Sequence, residues 1–230
     1  MEIHLFFDLL AYSVGTFLTW RVFCPKEPLI VDENIRYAYY TVVIMGAFIG
    51  AIVIGSLNVY YSLEAQEHFL LGKSVLGAIV GAVVAVEIFK KVMKIQGSTG
   101  AYAVPSLAIG IAIGRLGCFF AGLDDYTYGI ETHFLLGYDF GDNLLRHPVQ
   151  LYESSVMALF FIYVIWIYIK DINYFEKKIF YQFILVYSIQ RFTWEFLKPY
   201  ETIWLGLNIF QFFCLGLMLY ALYFLKKGSR

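Results

Sequence analysis

The sequence predicts an all-α, polytopic membrane protein with about seven transmembrane helices, its amino terminus outside and its carboxyl terminus in the cytoplasm. Three observations predict it. Of the 230 residues, 60% are hydrophobic and only 15% are charged, against roughly 45–50% and about 25% in an average soluble domain; so few charges cannot coat a water-soluble surface. The apolar residues gather into seven runs, at 5–20, 38–61, 74–89, 101–121, 149–169, 179–197 and 204–225, each near the roughly 20 residues that a helix needs to cross hydrocarbon. The cations alternate from one connection to the next. Arg21, Lys26, Arg36, Lys90, Lys91, Lys94, Lys170, Lys177, Lys178, Lys226, Lys227 and Arg230 fall on one side, and only Lys73, Arg146 and Lys198 on the other. The positive-inside rule places the richer set in the cytoplasm, and losing or merging one run would scramble the alternation.

The runs fill residues 1–230 as a single transmembrane domain. The first follows Glu2 and His4 without Lys or Arg and without a small-residue cleavage site, so it reads as a span and not a removable signal. Cys24, preceded by Arg21, Val22 and Phe23, lacks the small-residue box of a lipoprotein precursor. Asp8 near the outer end of the first run and Glu87 near the inner end of the third can reach the interfaces and need no special role. Gly46/Gly50, Gly77/Gly81 and Gly110/Gly114 bring small residues to one helix face, a spacing that lets helices pack closely. Gly72, Lys73 and Ser74 before the third run resemble the end of a phosphate-binding loop, but Glu67 stands where that loop needs glycine. Lys73 either meets a lipid headgroup or snorkels. The longest interruption, Gly122 to Pro148, carries Asp124, Asp125, Glu131, Asp139 and Asp142 against Arg146 and reads as a solvated outer loop.

The same composition excludes other classes. A net charge of −1 without a Lys/Arg-rich run argues against a nucleic-acid partner. Cys24, Cys118 and Cys214 are too scattered for a disulfide framework or a structural metal. No metal cluster, dinucleotide glycine pattern or Ser-His-Asp set is evident, and no cofactor is expected.

The informative charges are those that lipid rejects. Arg115 in the fourth run and Arg191 in the sixth each cost about 2.5–3.5 kcal/mol at a helix centre, so each needs a partner or a wet cavity. Glu195 lies four residues after Arg191 and Tyr187 four before, all on one helical face. Arg115 has no such neighbour in its own helix. The excess positive charge suits an anion at membrane depth, and a phospholipid phosphate fits the planar guanidinium. His147, Gln150, Tyr152 and Glu153 cluster where Pro148 opens the fifth helix, whose amide end adds partial positive charge. His147 and Gln150 read equally well as helix caps; Glu153, a turn into the bilayer, does not.

These residues resemble the prolipoprotein diacylglyceryl transferases, bacterial inner-membrane enzymes of seven helices. Gly114-Arg115-Leu116-Gly117-Cys118-Phe119, with Gly122 and Tyr128-Gly129, is similar to the family signature G-R-x-G-N-F-x-N-G-E-x-Y-G. His147 to Glu153 matches H-P-x-Q-L-Y-E, and Tyr187 to Lys198 resembles Y-G-x-x-R-F-x-x-E-F-x-R with lysine for the last arginine. The resemblance implies transfer of the diacylglyceryl unit of phosphatidylglycerol to the cysteine of a prolipoprotein, releasing glycerol phosphate. It implies that Arg115 and Arg191 hold the phosphate and that Tyr187 and Glu195 orient Arg191. Lys73, Gly122, Gln150, Tyr152, Asp124 and Asp125 are further substrate contacts on this reading.

The departures mark a divergent paralogue. The family's H-G-G loop is absent, with Gly72-Lys73-Ser74 in its place, and Cys118 and Ala121 replace two asparagines. Asp124, Asp125, His147 and Glu153 are candidate substitutes for the missing base. Two alternatives stay open at this point: a related transferase with another acceptor, and a non-catalytic lipid or anion binder or transporter.

Overall fold

The computed structural model describes residues 2–25, 30–62 and 72–227. Seven α-helices account for most of them: α1 Glu2–Phe17, α2 Glu33–Ser62, α3 Val75–Met93, α4 Val104–Ala121, α5 Val149–Lys170, α6 Ile172–Glu195 and α7 Ile209–Lys227. Lys26 and Arg230, two of the cations used to assign sidedness, lie outside the described residues.

Capping chemistry sets several helix ends away from the apolar runs. Asp32 accepts from the Ile35 amide at 2.9 Å, so α2 begins five residues before its apolar run. Ser74 accepts from Gly77 at 3.2 Å to start α3, which ends at Lys94 in the left-handed region with Lys90 and Lys91 on its carbonyl end. Asp171 alone separates α5 from α6 and accepts from Tyr174 at 2.9 Å. Asn208 and Gln211 each accept the other's backbone amide, at 3.0 and 2.9 Å, and open α7 as a reciprocal cap. Beyond α1 the chain continues as a π-helical turn, Leu18–Val22, and α4 is preceded by the short turn Ala101–Ala103.

Five of the seven helices are long and apolar enough to cross a membrane: those within Ile3–Val22, Glu33–Tyr61, Ala101–Asp124, Val149–Lys170 and Ile209–Lys227. The chain is a multi-pass membrane protein. The other two helices carry more charge, and α6 has a physical reason to do so. It supplies Phe175, Ile179, Phe183, Ile184 and Tyr187 to the core, together with Met157 and Phe160 of α5 and Cys214 and Leu217 of α7. A helix surrounded by protein meets little lipid and does not need an apolar circumference.

The glycine pairs serve two purposes. A methyl at Gly81 would strike the Gly46 carbonyl and lie 2.8 Å from Gly50 Cα, and one at Gly46 would lie 2.6 Å from Ala85 Cβ. The α2–α3 hairpin therefore packs backbone to backbone. Around Gly110 and Gly114, in contrast, nothing lies within 4 Å of a built Cβ. They do not pack a helix as their spacing predicts; they border a cavity. At either end of the same α4 stripe, Gly117 takes Phe7 of α1 and Ser106 donates to the Gly15 carbonyl at 2.7 Å, so α1 and α4 run antiparallel.

Between α4 and α5 a small hairpin pairs β1, Tyr138–Asp139, with β2, Leu145–Arg146, in the register Tyr138 to Arg146. Arg146 donates from Nε to Asp142 at 2.9 Å, and this bond holds the Asp142 carboxyl below the usual carboxylate range. The acidic loop is thus partly internally paired.

Gly81→Val should lower the thermal unfolding midpoint of the detergent-purified protein sharply, since overpacking costs about 1–3 kcal/mol or more where backbone cannot move. Gly110→Ala should leave it within a degree or two, as measured by the same melt.

Candidate functional site

The site is built on one carboxylate. Glu153, in the second turn of α5, is 1% exposed and is reached from three segments. Arg115 of α4 pairs through Nε with Glu153 Oε2. Arg191 of α6 donates from Nη1 to Oε1 at 2.6 Å, and Lys198, just past α6, donates from Nζ to the same oxygen at 2.8 Å. A second carboxylate closes the network. Glu195 Oε1 lies 2.8 Å from Arg191 Nη2 and 3.4 Å from Lys198 Nζ, while Oε2 accepts from Asn208 Nδ2 at 2.8 Å.

Three cations face two carboxylates, leaving one positive charge. The partner that Arg115 lacks in its own helix is supplied by α5. Arg191 is 4% exposed, with its guanidinium 5.1 Å over the Phe210 ring. Arg115 is the member of the network that reaches outward, into a cavity of about 1090 Å³ walled by α1 and α4 and completed by residues of α2 and by Val75. That volume lies at the upper end of ordinary ligand pockets, about 300–1,000 Å³. Arg115 Nη1 also points at Cys118 Sγ, 3.8 Å away.

The other expected residues divide. Gln150 is buried one turn before Glu153, and neither of its amide atoms has a hydrogen-bond partner among the described residues; it does not cap α5. Tyr187 is equally buried, and its hydroxyl likewise has no such partner, so it does not orient Arg191 by a hydrogen bond; Glu195 does. His147 does not cap α5 either. Its backbone is stitched to the loop, accepting from Gly129 at 3.0 Å and donating to Ile130 at 3.1 Å, and its Nδ1 lies 3.3 Å from the Tyr152 hydroxyl. The Tyr152 ring packs on Trp194 at 5.2 Å.

Lys73 is exposed at the start of α3 and does not join the network or line the cavity. Gly122 ends α4 at φ +68°, a conformation that favours glycine, and leads into the short turn Gly122–Asp125. Asp124 is exposed there, away from the cavity wall, and the Asp125 side chain lies outside the described residues.

Sequence reasoning passed over three residues. Lys198, counted as an outer-loop cation, is buried in the network, and its spacing of three from Glu195 was the available signal. Asn208 carries no sequence signal beyond its cap position. Asp8, read as an interfacial charge without a special role, lines the cavity with Arg115. Nearby, Tyr200 donates to the Tyr126 carbonyl at 3.1 Å, and burial pushes its phenol up from the ordinary value.

A multi-pass helical membrane protein whose buried cationic network borders a lipid-sized cavity belongs to the class of membrane enzymes acting on charged lipids. The chain belongs to the prolipoprotein diacylglyceryl transferase family, whose model matches residues 5–226, and it is a transferase. It is similar to phosphatidylglycerol–prolipoprotein diacylglyceryl transferases of Ehrlichia ruminantium (29% identical, covering 91% of this chain and 85% of the relative) and Aromatoleum aromaticum (26%, covering 95% and 94%). A third relative, from Francisella tularensis subsp. novicida, is 28% identical and covers 82% of this chain and 74% of its own. No solved structure gives a significant match.

Removing Glu153 leaves its three cations facing Glu195 alone. Glu153→Gln should therefore cost about 3–5 kcal/mol of stability. In a double-mutant cycle read by thermal or denaturant unfolding, Lys198→Met added to Glu153→Gln should recover part of that loss.

Proposed function

We propose that the protein moves the diacylglyceryl unit of phosphatidylglycerol to the cysteine thiol of a prolipoprotein, releasing glycerol phosphate, in the inner membrane of a bacterium. Its similarity to phosphatidylglycerol–prolipoprotein diacylglyceryl transferases supports the reaction. The observation that carries it to this chain is the surplus positive charge of the Glu153 network, offered to the cavity through Arg115. The seven helices all cross the membrane on this reading, with the amino terminus outside, as the alternation of cations requires. The lipid donor is the only small molecule needed.

The chemistry divides among the residues as follows. The thiolate attacks the glyceryl carbon that bears the phosphate ester; the S–C bond forms as the C–O bond breaks, and the electron pair stays on the phosphate oxygen. Negative charge grows on the leaving glycerol phosphate, and Arg115 meets it with preorganised donors. Arg191 and Lys198 act from behind, raising the positive potential and fixing the carboxylate that aims Arg115. Gln150 and Tyr187 hold polar atoms at the same depth for the headgroup, and His147 and Tyr152 shape the outer rim.

Purified protein in phosphatidylglycerol vesicles, given a peptide bearing a lipobox cysteine, should form a thioether-linked product and release glycerol phosphate in equal amounts. Absence of product from the wild-type protein would overturn the reading. Arg115→Lys should lower kcat/KM on the order of 100-fold, because a point charge replaces a planar fork that must serve both Glu153 and phosphate. Arg191→Lys, which cannot span Glu153 and Glu195 together, should lose activity with a concurrent drop in the melting midpoint.

A further inference from the structure

Thioether formation requires that the acceptor thiol lose its proton, and a free thiol, with a pKa near 8.5, is mostly protonated at neutral pH. Of the candidates named from the sequence, the Asp125 side chain lies outside the described residues and the other three are poorly placed to take it. Both oxygens of Glu153 are occupied by cations. Asp124 and His147 are away from the cavity wall, the latter with its backbone held by Gly129 and Ile130 and its ring beside Tyr152. Among the described residues, one carboxylate does line the cavity: Asp8 of α1.

Its depth is fixed by packing. Phe7 sits against Gly117 and Gly15 against Ser106 in the antiparallel α1–α4 pair, which brings Asp8 to about the level of Arg115 on the adjoining helix, and both line the cavity. His4 and Tyr12 lie one turn before and after it on α1, and the other titratable and charged groups lining the cavity are Arg115 and Cys118 from α4, Arg36, Tyr39 and Tyr40 from α2, and Cys24 and Tyr102. Asp8 forms no ion pair among the described residues, so its carboxylate oxygens keep lone pairs for a proton. Gly110 and Gly114 leave the α4 wall without side chains beside it.

We propose that Asp8 is the general base of the transfer, taking the proton from the acceptor thiol while Arg115 holds the phosphate on the adjoining helix. This rests on the transferase reading above. The S–H proton passes to an Asp8 oxygen, sulfur bonds to the glyceryl carbon, and the C–O pair leaves with glycerol phosphate. The proton is then released to the departing phosphate or to water.

The test is a pH profile of lipobox-peptide turnover by the full chain in phosphatidylglycerol vesicles. Asp8→Asn should reduce kcat at pH 7 about 100-fold or more, with little change in the lipid concentration needed for half-saturation. The deficit should shrink to a few-fold by pH 9, where the peptide thiol ionises unaided, and Asp8→Glu should retain more activity than Asp8→Asn. Asp8→Ser carries the same expectation if asparagine prevents folding. Wild-type turnover in Asp8→Asn at pH 7, or a loss of equal size at pH 7 and pH 9, would overturn the assignment while leaving the transferase reading intact. An inactive wild-type protein would overturn both.

Discussion

The Glu153 carboxylate, held away from water by three cations, is the constraint on which the rest of the molecule is arranged. Desolvating a carboxylate costs several kcal/mol, and only close cationic partners with good geometry offset it. Those partners come from α4, α6 and the turn after α6, so one residue of α5 ties three segments together at one depth. Glu195 extends the tie to α7, because the amide nitrogen of Asn208 that it holds belongs to the residue whose carbonyl oxygen caps that helix. Four helices thus form a rigid block whose internal charges are mutually satisfied except for a single surplus positive unit.

The helices outside that block are free to make a different structure. α2 and α3 close on each other through facing glycines, a contact too tight for side chains, and α1 clings to α4 through Phe7, Gly15 and their partners. Neither contact fills the space between the two units. The same four-residue glycine spacing therefore has opposite meanings: at Gly46, Gly50, Gly77 and Gly81 it removes side chains so that backbones can touch, and at Gly110 and Gly114 it removes them so that nothing does. The surplus charge of the block faces the resulting cavity because Arg115 stands on the one helix shared by both parts.

How legible this was follows from what lipid does and does not impose. The hydrocarbon core demands about 20 apolar residues per span, so the helices stand out in the sequence. Their ends do not, because Glu33 to Tyr37 and Ile172 to Lys178 are helical while their charges belong to the interface. Arg115 and Arg191 announced themselves as charges that lipid rejects. Their common partner did not, since Glu153 lies 38 residues from each on a different helix and no periodicity links such positions. The place of Asp8 in the cavity wall was not legible for a related reason: depth along a helix is one-dimensional, and whether a carboxylate near the end of a span turns to the headgroups or to a cavity depends on which face its neighbours cover.

Two carboxylates at a similar depth thus acquire different capacities from their surroundings alone. Glu153, surrounded by three donors, has its oxygens committed to aiming arginine and cannot accept a proton without releasing the helices it joins. Asp8 stands on a helix that contributes little to the core, lines the cavity and bears no ion pair among the described residues, so it joins no helices together. A site that must both stabilise a departing phosphate and relieve a thiol of its proton needs those capacities kept apart, since a base paired to the phosphate-binding cation would be silenced by it. Placing the anchored carboxylate behind Arg115 and the unanchored one on the adjoining helix of the same cavity meets that requirement.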